Sequence, residues 1–442
     1  MCIPLAVIDD LDVQKTAKES VGWSAREAFR QLGKYDLEDL KDKGIKLGPN
    51  MGKLFVYNHE APLSKGEVPN IVRTNSDNAI INACIALKGK YPTRKVCIVT
   101  KDMGLRLRAI TWGCRAENYR HDLVDDNKFD GASTVEITQH KDWDLLTATK
   151  RSEDGYRKIE MSAVSDELTE KMGELFPNQF FIFRRSVDME CAGIVKRANI
   201  DGSYYIRILK DKGSYAFSGI TPLNIEQKMA MEAMNDPDIQ LIGICGAAGT
   251  GKTIAALAVA LDQVDSGIYD RIVVIKPLVP VGGKDIGFLP GSKAEKISAW
   301  LGPIRDNLQQ LVAKKRGLGL KEANDVLEEM ILEGLIEVEA MTFLQGRSIT
   351  DSVIIADETQ NLTAREGRML VERCGRNSKV VMLGDLSQVE HPYLDKGSCA
   401  LAHAITGARK SDLAAAVLLT KVERSKLAAA ASEIFATPDA NR

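Results

Sequence analysis

The residues best suited to chemistry lie between Asp238 and Thr253, in DIQLIGICGAAGTGKT. Gly246, Gly249, Gly251, Lys252 and Thr253 stand there at the spacing G-x-x-x-x-G-K-T. Glycines let backbone N–H groups turn inward around phosphate oxygens, and a helix N-terminus behind them adds partial positive charge. The loop Gly246, Ala247, Ala248, Gly249, Thr250, Gly251 would therefore wrap a triphosphate. Lys252 would reach the β- and γ-phosphates, and the Thr253 hydroxyl would coordinate Mg2+. The motif requires a strand before it and a helix after it. Leu241–Cys245 is a short apolar run bounded by glycine, and Ile254–Val264 has the alanine and leucine content of a buried helix. The plain alternative is a glycine-rich turn without a ligand.

A second group follows the apolar run Val353–Ala356, which leads into Asp357, Glu358, Gln360 and Asn361. An acid at the end of a second buried strand is what Mg2+ needs beside a phosphate loop. The glutamate next to it can polarise an attacking water, a role that small-molecule kinases do not require. A third run, Val380–Leu383, ends in Gly384, Asp385 and Gln388. An amide there could touch a γ-phosphate and register its loss. Three strand ends converging on one phosphate are far more specific than the loop alone. Upstream, Gln227 follows Asn224, where an amide can bond an adenine edge; a helix-capping Asn with a surface Gln is the alternative. Arg424, in KVERSKL, could supply transition-state charge at a γ-phosphate or simply pair with Glu423.

A third group is acidic and lies near the N-terminus. Asp10 follows the apolar run Pro4–Ile8, Asp77 sits in capping chemistry before a helix through Ala79–Leu87, and Asp102 follows Val96–Thr100. Ligand sites in open parallel sheets lie beyond the carboxyl ends of strands, so the three could converge on a divalent cation. Solvated strand-end and cap residues are the alternative.

These groups need scaffolds, and 442 residues allow two or three domains. Residues 1–146 read as one α/β unit. Residues 147–221 read as a polar linker followed by a small β-rich module with strands at Phe180–Phe183, Gly193–Lys196 and Tyr204–Leu209. Basic residues among its aromatics suit a single-strand binding surface; a solvated sheet face explains them equally. Residues 222–442 alternate strands with helices, which predicts a doubly wound parallel sheet. Its strand candidates are Leu241–Cys245, Ile272–Ile275, Ile336–Glu339, Val353–Ala356, Val380–Leu383 and Ala416–Leu419.

Composition sets the remaining bounds. A net charge of −2 requires any nucleic-acid surface to be a local patch. No apolar run approaches ~20 residues and the N-terminus is not a secretory signal, so no membrane contact is expected. The eight cysteines form no C-x-x-C pair and the five histidines are dispersed, which disfavours a metal cluster. Reduced buried thiols and a cytoplasmic location are expected.

Taken in order, GAAGTGKT, KPLVPVGGKDIGFLPGSKAEK, MTFLQGRSI, VIIADETQNLT, GDLSQ and KVERS resemble the PhoH family of ATPases over about Pro222–Phe435. The resemblance implies a P-loop NTPase related to superfamily 1 helicases, which hydrolyses ATP, acts on RNA and assembles as a hexameric ring. It implies Gly246–Thr253 for the triphosphate, Asp357 and Glu358 for Mg2+ and water, and Gln388 as γ-phosphate sensor. Gln227 would read adenine, and Arg424 would be an arginine finger reaching a neighbouring subunit. The loop Val279–Gly291, with Lys284, resembles a family signature facing the ring pore or the RNA.

Residues 1–146 resemble a PIN nuclease domain through VIDDLD, TNSDNAIINA and CIVTKDMGLRLRA. The resemblance places Asp10, Asp77 and Asp102 on that domain's acids for Mg2+ or Mn2+. Such a domain opens with a strand ending in Asp-Thr-Asn or similar, and this chain begins after that point. The resemblance thus implies a sheet without its central strand, a site short of one carboxylate, and weak or absent nuclease activity. A start codon set too late explains the pattern equally well.

The leading expectation is an ATPase that moves on or remodels RNA, with an incomplete PIN module. The first rival is an RNA endonuclease fed by the ATPase, and the second a nucleotide-gated assembly or switch protein with little turnover.

Overall fold

The computed structural model describes residues 1–16, 20–47, 52–58, 76–119, 132–148, 152, 155–198, 202–277, 302–341, 348–391 and 394–423. The chain forms two units, Met1–His121 and Asp122–Arg442.

The first unit holds β1 (Cys2–Pro4), α1 (Leu5–Gln14), α2 (Ser20–Leu32), α3 (Leu37–Asp42), β2 (Ile45–Lys46), β3 (Lys53–Tyr57), α4 (Ser76–Lys90), β4 (Cys97–Val99), α5 (Met103–Thr111) and β5 (Arg115–Glu117). Strands β1, β3 and β2 form one small sheet, and β4 and β5 pair in parallel in another. Ile81, Cys84, Ile98, Leu105, Ala109 and Cys114 make a buried core between α4, α5 and β4. The strand expected over Pro4–Ile8 stops at Pro4, and Leu5–Gln14 is helical. Proline lacks the N–H that a helix start leaves unused, and Leu5, Ile8 and Leu11 then fall at helical spacing. Asp10 is therefore a helix residue, not a strand-end residue.

In the second unit β6 (Ser133–Glu136), α6 (His140–Thr147), β7 (Arg157–Glu160), α7 (Asp166–Met172), β8 (Phe180–Ser186), β9 (Met189–Arg197) and β10 (Tyr204–Ile208) come first. They build a five-stranded sheet of order β6-β8-β9-β10-β7. Because β6 pairs in parallel with β8, Ser133 opposite Phe181, residues 133–147 belong to this unit. The division expected after residue 146 is corrected accordingly. Side chains on β8 alternate between two cores. Phe181 and Phe183 pack with Trp143, Val195 and Ile206, whereas Phe180 and Ile182 join the core of the larger sheet that follows.

That sheet is built from β11 (Leu241–Gly246), β12 (Arg271–Lys276), β13 (Ile336–Ala340), β14 (Ser352–Ala356), β15 (Lys379–Gly384) and β16 (Ala414–Leu419). All neighbours run parallel in the order β13-β12-β14-β15-β11-β16, at the six places expected. Near-continuous apolar strands follow from burial on both faces. One face, including Ile242, Ile244, Val274, Ile355 and Leu383, is covered by α8 (Ile225–Asn235), α9 (Lys252–Asp265), α10 (Gly302–Arg316) and α11 (Leu320–Leu332). The other, with Ile275, Ile354 and Met382, lies under α12 (Ala364–Glu372) and α13 (Ala400–Ala408).

The two sheets of this unit are joined by a buried charged cluster as well as by apolar packing. Arg207 of β10 pairs with Glu232 at 2.6 Å and with Asp236, both at the end of α8. Tyr215 and Tyr156 donate to the second Glu232 oxygen at 2.6 and 3.0 Å, and Lys196 reaches Asp236 at 2.7 Å. Burial alone would raise the Asp236 carboxyl, but Arg207 and Lys196 leave it below the usual range. Lys196 and Arg207 are thus consumed internally and Phe180, Phe181 and Phe183 are core residues, whereas Arg185, Arg197 and Lys212 are exposed.

Candidate nucleotide site

The site stands at the carboxyl edge of the parallel sheet, where β11 gives way to α9. Gly249 and Gly251 have φ of 84° and 85°, the left-handed region that glycine enters without strain. Gly246 meets a different demand: a β-carbon there would lie 2.7 Å from the Leu419 carbonyl of β16. Lys252 opens α9 and donates to the carbonyls of Gly246 at 2.5 Å and Ala247 at 3.0 Å. Burial lowers its pKa, opposed by the charges of Asp385, Asp357 and Glu358. The charges of three acids therefore reach the loop lysine.

Strand β14 ends beside this loop. The Thr253 hydroxyl lies 3.5 Å from Asp357 Oδ2, so the loop and the acid pair share one space. Asp357 is buried; that burial and then Glu358 push its carboxyl upward, against Lys276 and Lys252. Glu358 has a φ of 56°, a conformation that costs a non-glycine residue free energy and tends to persist at functional sites. Its N–H donates to Asp357 Oδ1 at 3.1 Å.

Gln360 connects this strand end to the next. Its Nε2 donates to Glu358 Oε2 at 2.6 Å and to the Gln388 carbonyl at 3.2 Å, while its Oε1 accepts from Asp385 N at 3.1 Å. A β-carbon at Gly384 would collide with that Oε1. Gln388 donates from Nε2 to Asp385 Oδ2 at 2.9 Å. One residue here was passed over in the sequence: Gln360, beside the acid pair, whose only signal was its place in the segment that follows β14.

The upstream amide is also engaged. Gln227 Nε2 donates to the Thr250 carbonyl at 3.0 Å, and its Oε1 accepts from Leu223 N at 2.7 Å. Asn224 caps α8 by accepting from Gln227 N at 2.9 Å. Its Nδ2 donates to Glu423, whose own N–H donates to the Gly249 carbonyl at 3.0 Å. Arg424 and the loop Val279–Gly291 with Lys284 lie outside the described residues.

In the first unit the three candidate acids do not assemble. Asp77 pairs with Arg108, Asp102 caps α5 by accepting from Leu105 N at 3.0 Å, and Asp10 lies along α1. Among the described residues no three His, Cys, Asp or Glu side chains could hold a metal ion together.

Comparison with known proteins bears on both units. A model of PhoH-like proteins matches residues 219–436, and a PIN domain model matches residues 1–120. Protein PhoH2 of Bacillus subtilis (strain 168) is 36% identical over 447 residues, covering 98% of this chain and 94% of that protein. The chain belongs to the PhoH-like family. Protein PhoH2 of Mycolicibacterium smegmatis is 29% identical, over 98% of this chain and 91% of that one. Among solved structures, the Pif1 helicase from Candida albicans aligns with a TM-score of 0.24 and 18% identity over 46% of this chain and 41% of that chain; an overlap this small carries no argument. The PhoH-like chain thus joins an N-terminal PIN-type α/β domain to a P-loop NTPase sheet. No helix among its described residues is long and apolar enough to cross a membrane.

Proposed function

We propose that this PhoH-like protein hydrolyses ATP and spends the energy on remodelling RNA. The observation that carries the nucleotide half is the 3.5 Å approach of Thr253 to Asp357, beside a lysine that the charges of three acids reach. A hydroxyl next to a buried carboxylate is the hard oxygen pair that Mg2+ takes with a nucleotide, so the residues present fit that ion. When bound, Mg2+, held by Thr253 and Asp357, would supply positive charge against the negative charge that builds up on the phosphates.

The chain's own residues would divide the remaining work. The loop from Gly246 to Thr253 presents backbone N–H groups to the phosphates, and Lys252 exchanges its two loop carbonyls for phosphate oxygens. Glu358, held by Gln360, orients the attacking water. Gln388, tied to Asp385, stands where loss of the γ-phosphate would be felt. Arg424 completes the charge as an arginine finger. The RNA substrate and the ring of subunits follow from the family resemblance, and the cytoplasmic setting from the scattered, unpaired cysteines. For the PIN-type unit, the engagement of Asp77 and Asp102 supports weak or absent nuclease activity.

Phosphate release measured with and without single-stranded RNA tests this function, run beside labelled RNA with Mg2+ or Mn2+ and no ATP. Stimulated release without cleavage is expected. RNA cleavage in the absence of ATP would favour the endonuclease rival, and nucleotide binding without turnover would favour the switch.

A further inference from the structure

We propose that Gln227 shapes the phosphate loop rather than reading a base, so that the site accepts nucleoside triphosphates of any base. This rests on the proposed triphosphatase function and narrows its substrate class. The argument starts from the hydrogen bonds of one amide. Gln227 is only 6% exposed, and Thr250, whose carbonyl it holds, is fully buried. Turning the amide outward toward a base would strand the buried Thr250 carbonyl, and buried polar groups without partners are strongly disfavoured. The amide packs directly over the loop: a β-carbon at Gly251 would lie 2.9 Å from Gln227 Nε2.

Neighbouring polar groups are committed in the same way. Asn224 spends its oxygen on the α8 cap and its nitrogen on Glu423. Glu226 accepts from Thr420 N at 2.6 Å, Thr420 Oγ1 at 2.5 Å and Lys421 N at 3.2 Å. Segment 223–227 therefore braces the phosphate loop and the exit of β16, and each of its polar side chains, Asn224, Glu226 and Gln227, is held by a protein partner. A base then contributes stacking and shape, which differ little among purines and pyrimidines, while the triphosphate supplies recognition.

The test compares ATP, GTP, CTP and UTP as substrates of the full chain, with inorganic tripolyphosphate as a base-free competitor, for wild type, Gln227→Ala and Gln227→Glu. The four kcat/KM values should agree within about threefold in wild type, and Gln227→Ala should weaken all four and tripolyphosphate alike by about tenfold, or roughly 1.4 kcal/mol. Gln227→Glu keeps the bond from Leu223 and loses the one to Thr250, so it should show the same pattern. An ATP preference of about tenfold or more that disappears in Gln227→Ala, with tripolyphosphate inhibition intact, overturns the proposal and leaves the triphosphatase function standing. Wild-type selectivity decides this even if both variants unfold. Failure to hydrolyse any of the four overturns both.

Discussion

Gln360 donates to Glu358 at 2.6 Å while its carbonyl oxygen accepts from the backbone of Asp385. One side chain thereby clamps the ends of two adjacent strands and holds the proposed water-orienting carboxylate. The clamp is needed because Glu358 sits in a left-handed backbone conformation that is unfavourable unless its surroundings enforce it.

Removing that clamp should slow turnover without loosening nucleotide. Gln360→Ala is expected to lower kcat by about 10- to 100-fold with KM changed less than about threefold, since precise placement of a reacting group carries much of its effect. Gly384→Ala should mimic it, because its methyl displaces Gln360 Oε1. Steady-state phosphate release with a fluorescent nucleotide titration distinguishes the two parameters. A rise in KM at constant kcat would remove Gln360 from this role.

Lys252→Ala and Glu358→Gln should fail differently. The first removes the cation that the charges of Asp357, Glu358 and Asp385 reach and is expected to lose both nucleotide affinity and turnover. The second keeps its shape and should bind nucleotide normally while kcat falls on the order of 100-fold or more. Equilibrium binding beside turnover checks the pair; equal loss of binding in both would contradict the assigned roles.

The buried cluster between the two sheets makes a stability prediction. Glu232 is fully buried and accepts from Arg207, Tyr215 and Tyr156. Glu232→Ala leaves the Arg207 guanidinium short of a partner, and breaking one side of such a pair destabilises by about 3–5 kcal/mol. Urea unfolding should show this loss. An apolar double replacement, Arg207→Met with Glu232→Leu, should recover much of it, and a double variant as unstable as the single one would argue against the electrostatic origin.

Lys379 supplies a pH dependence. Its Nζ donates to the carbonyls of Met234 at 2.5 Å and Asp236 at 2.7 Å, and burial, opposed by Asp236, brings its pKa down to about 8. From there up to the ordinary lysine value of 10.5 the unfolded chain holds a proton that the folded chain has released. Stability contributed at this position therefore rises with pH across that window and is lowest below it. Relative to Lys379→Met, the wild type should gain on the order of 1–3 kcal/mol between about pH 7.5 and pH 10. Denaturation curves for both proteins at the two pH values measure it, and a flat difference would mean that Lys379 titrates normally.

What could be read from the linear chain was whatever depends on near neighbours. Six apolar runs became six parallel strands, because burial on both faces writes itself into consecutive residues. The glycine spacing around Lys252 likewise announces a loop whose backbone must turn inward. Where the local signal was ambiguous, the reading failed: Leu5–Gln14 is apolar enough for strand or helix, and Pro4 tipped it to helix. Strand β6, four residues reading STVE, carries no apolar pattern of its own and is defined by pairing with β8.

The spacing of residues by itself placed the glycine loop with Lys252, the pair Asp357 and Glu358, and Gln388 at three strand ends of one sheet. Tertiary structure alone decided how the polar side chains are used: Gln227 bonded to Thr250, Gln360 joining Glu358 to Asp385, and Arg207 locked to Glu232. A side-chain hydrogen bond depends on a few ångströms between positions that lie far apart in the chain, and neither composition nor periodicity encodes such a distance.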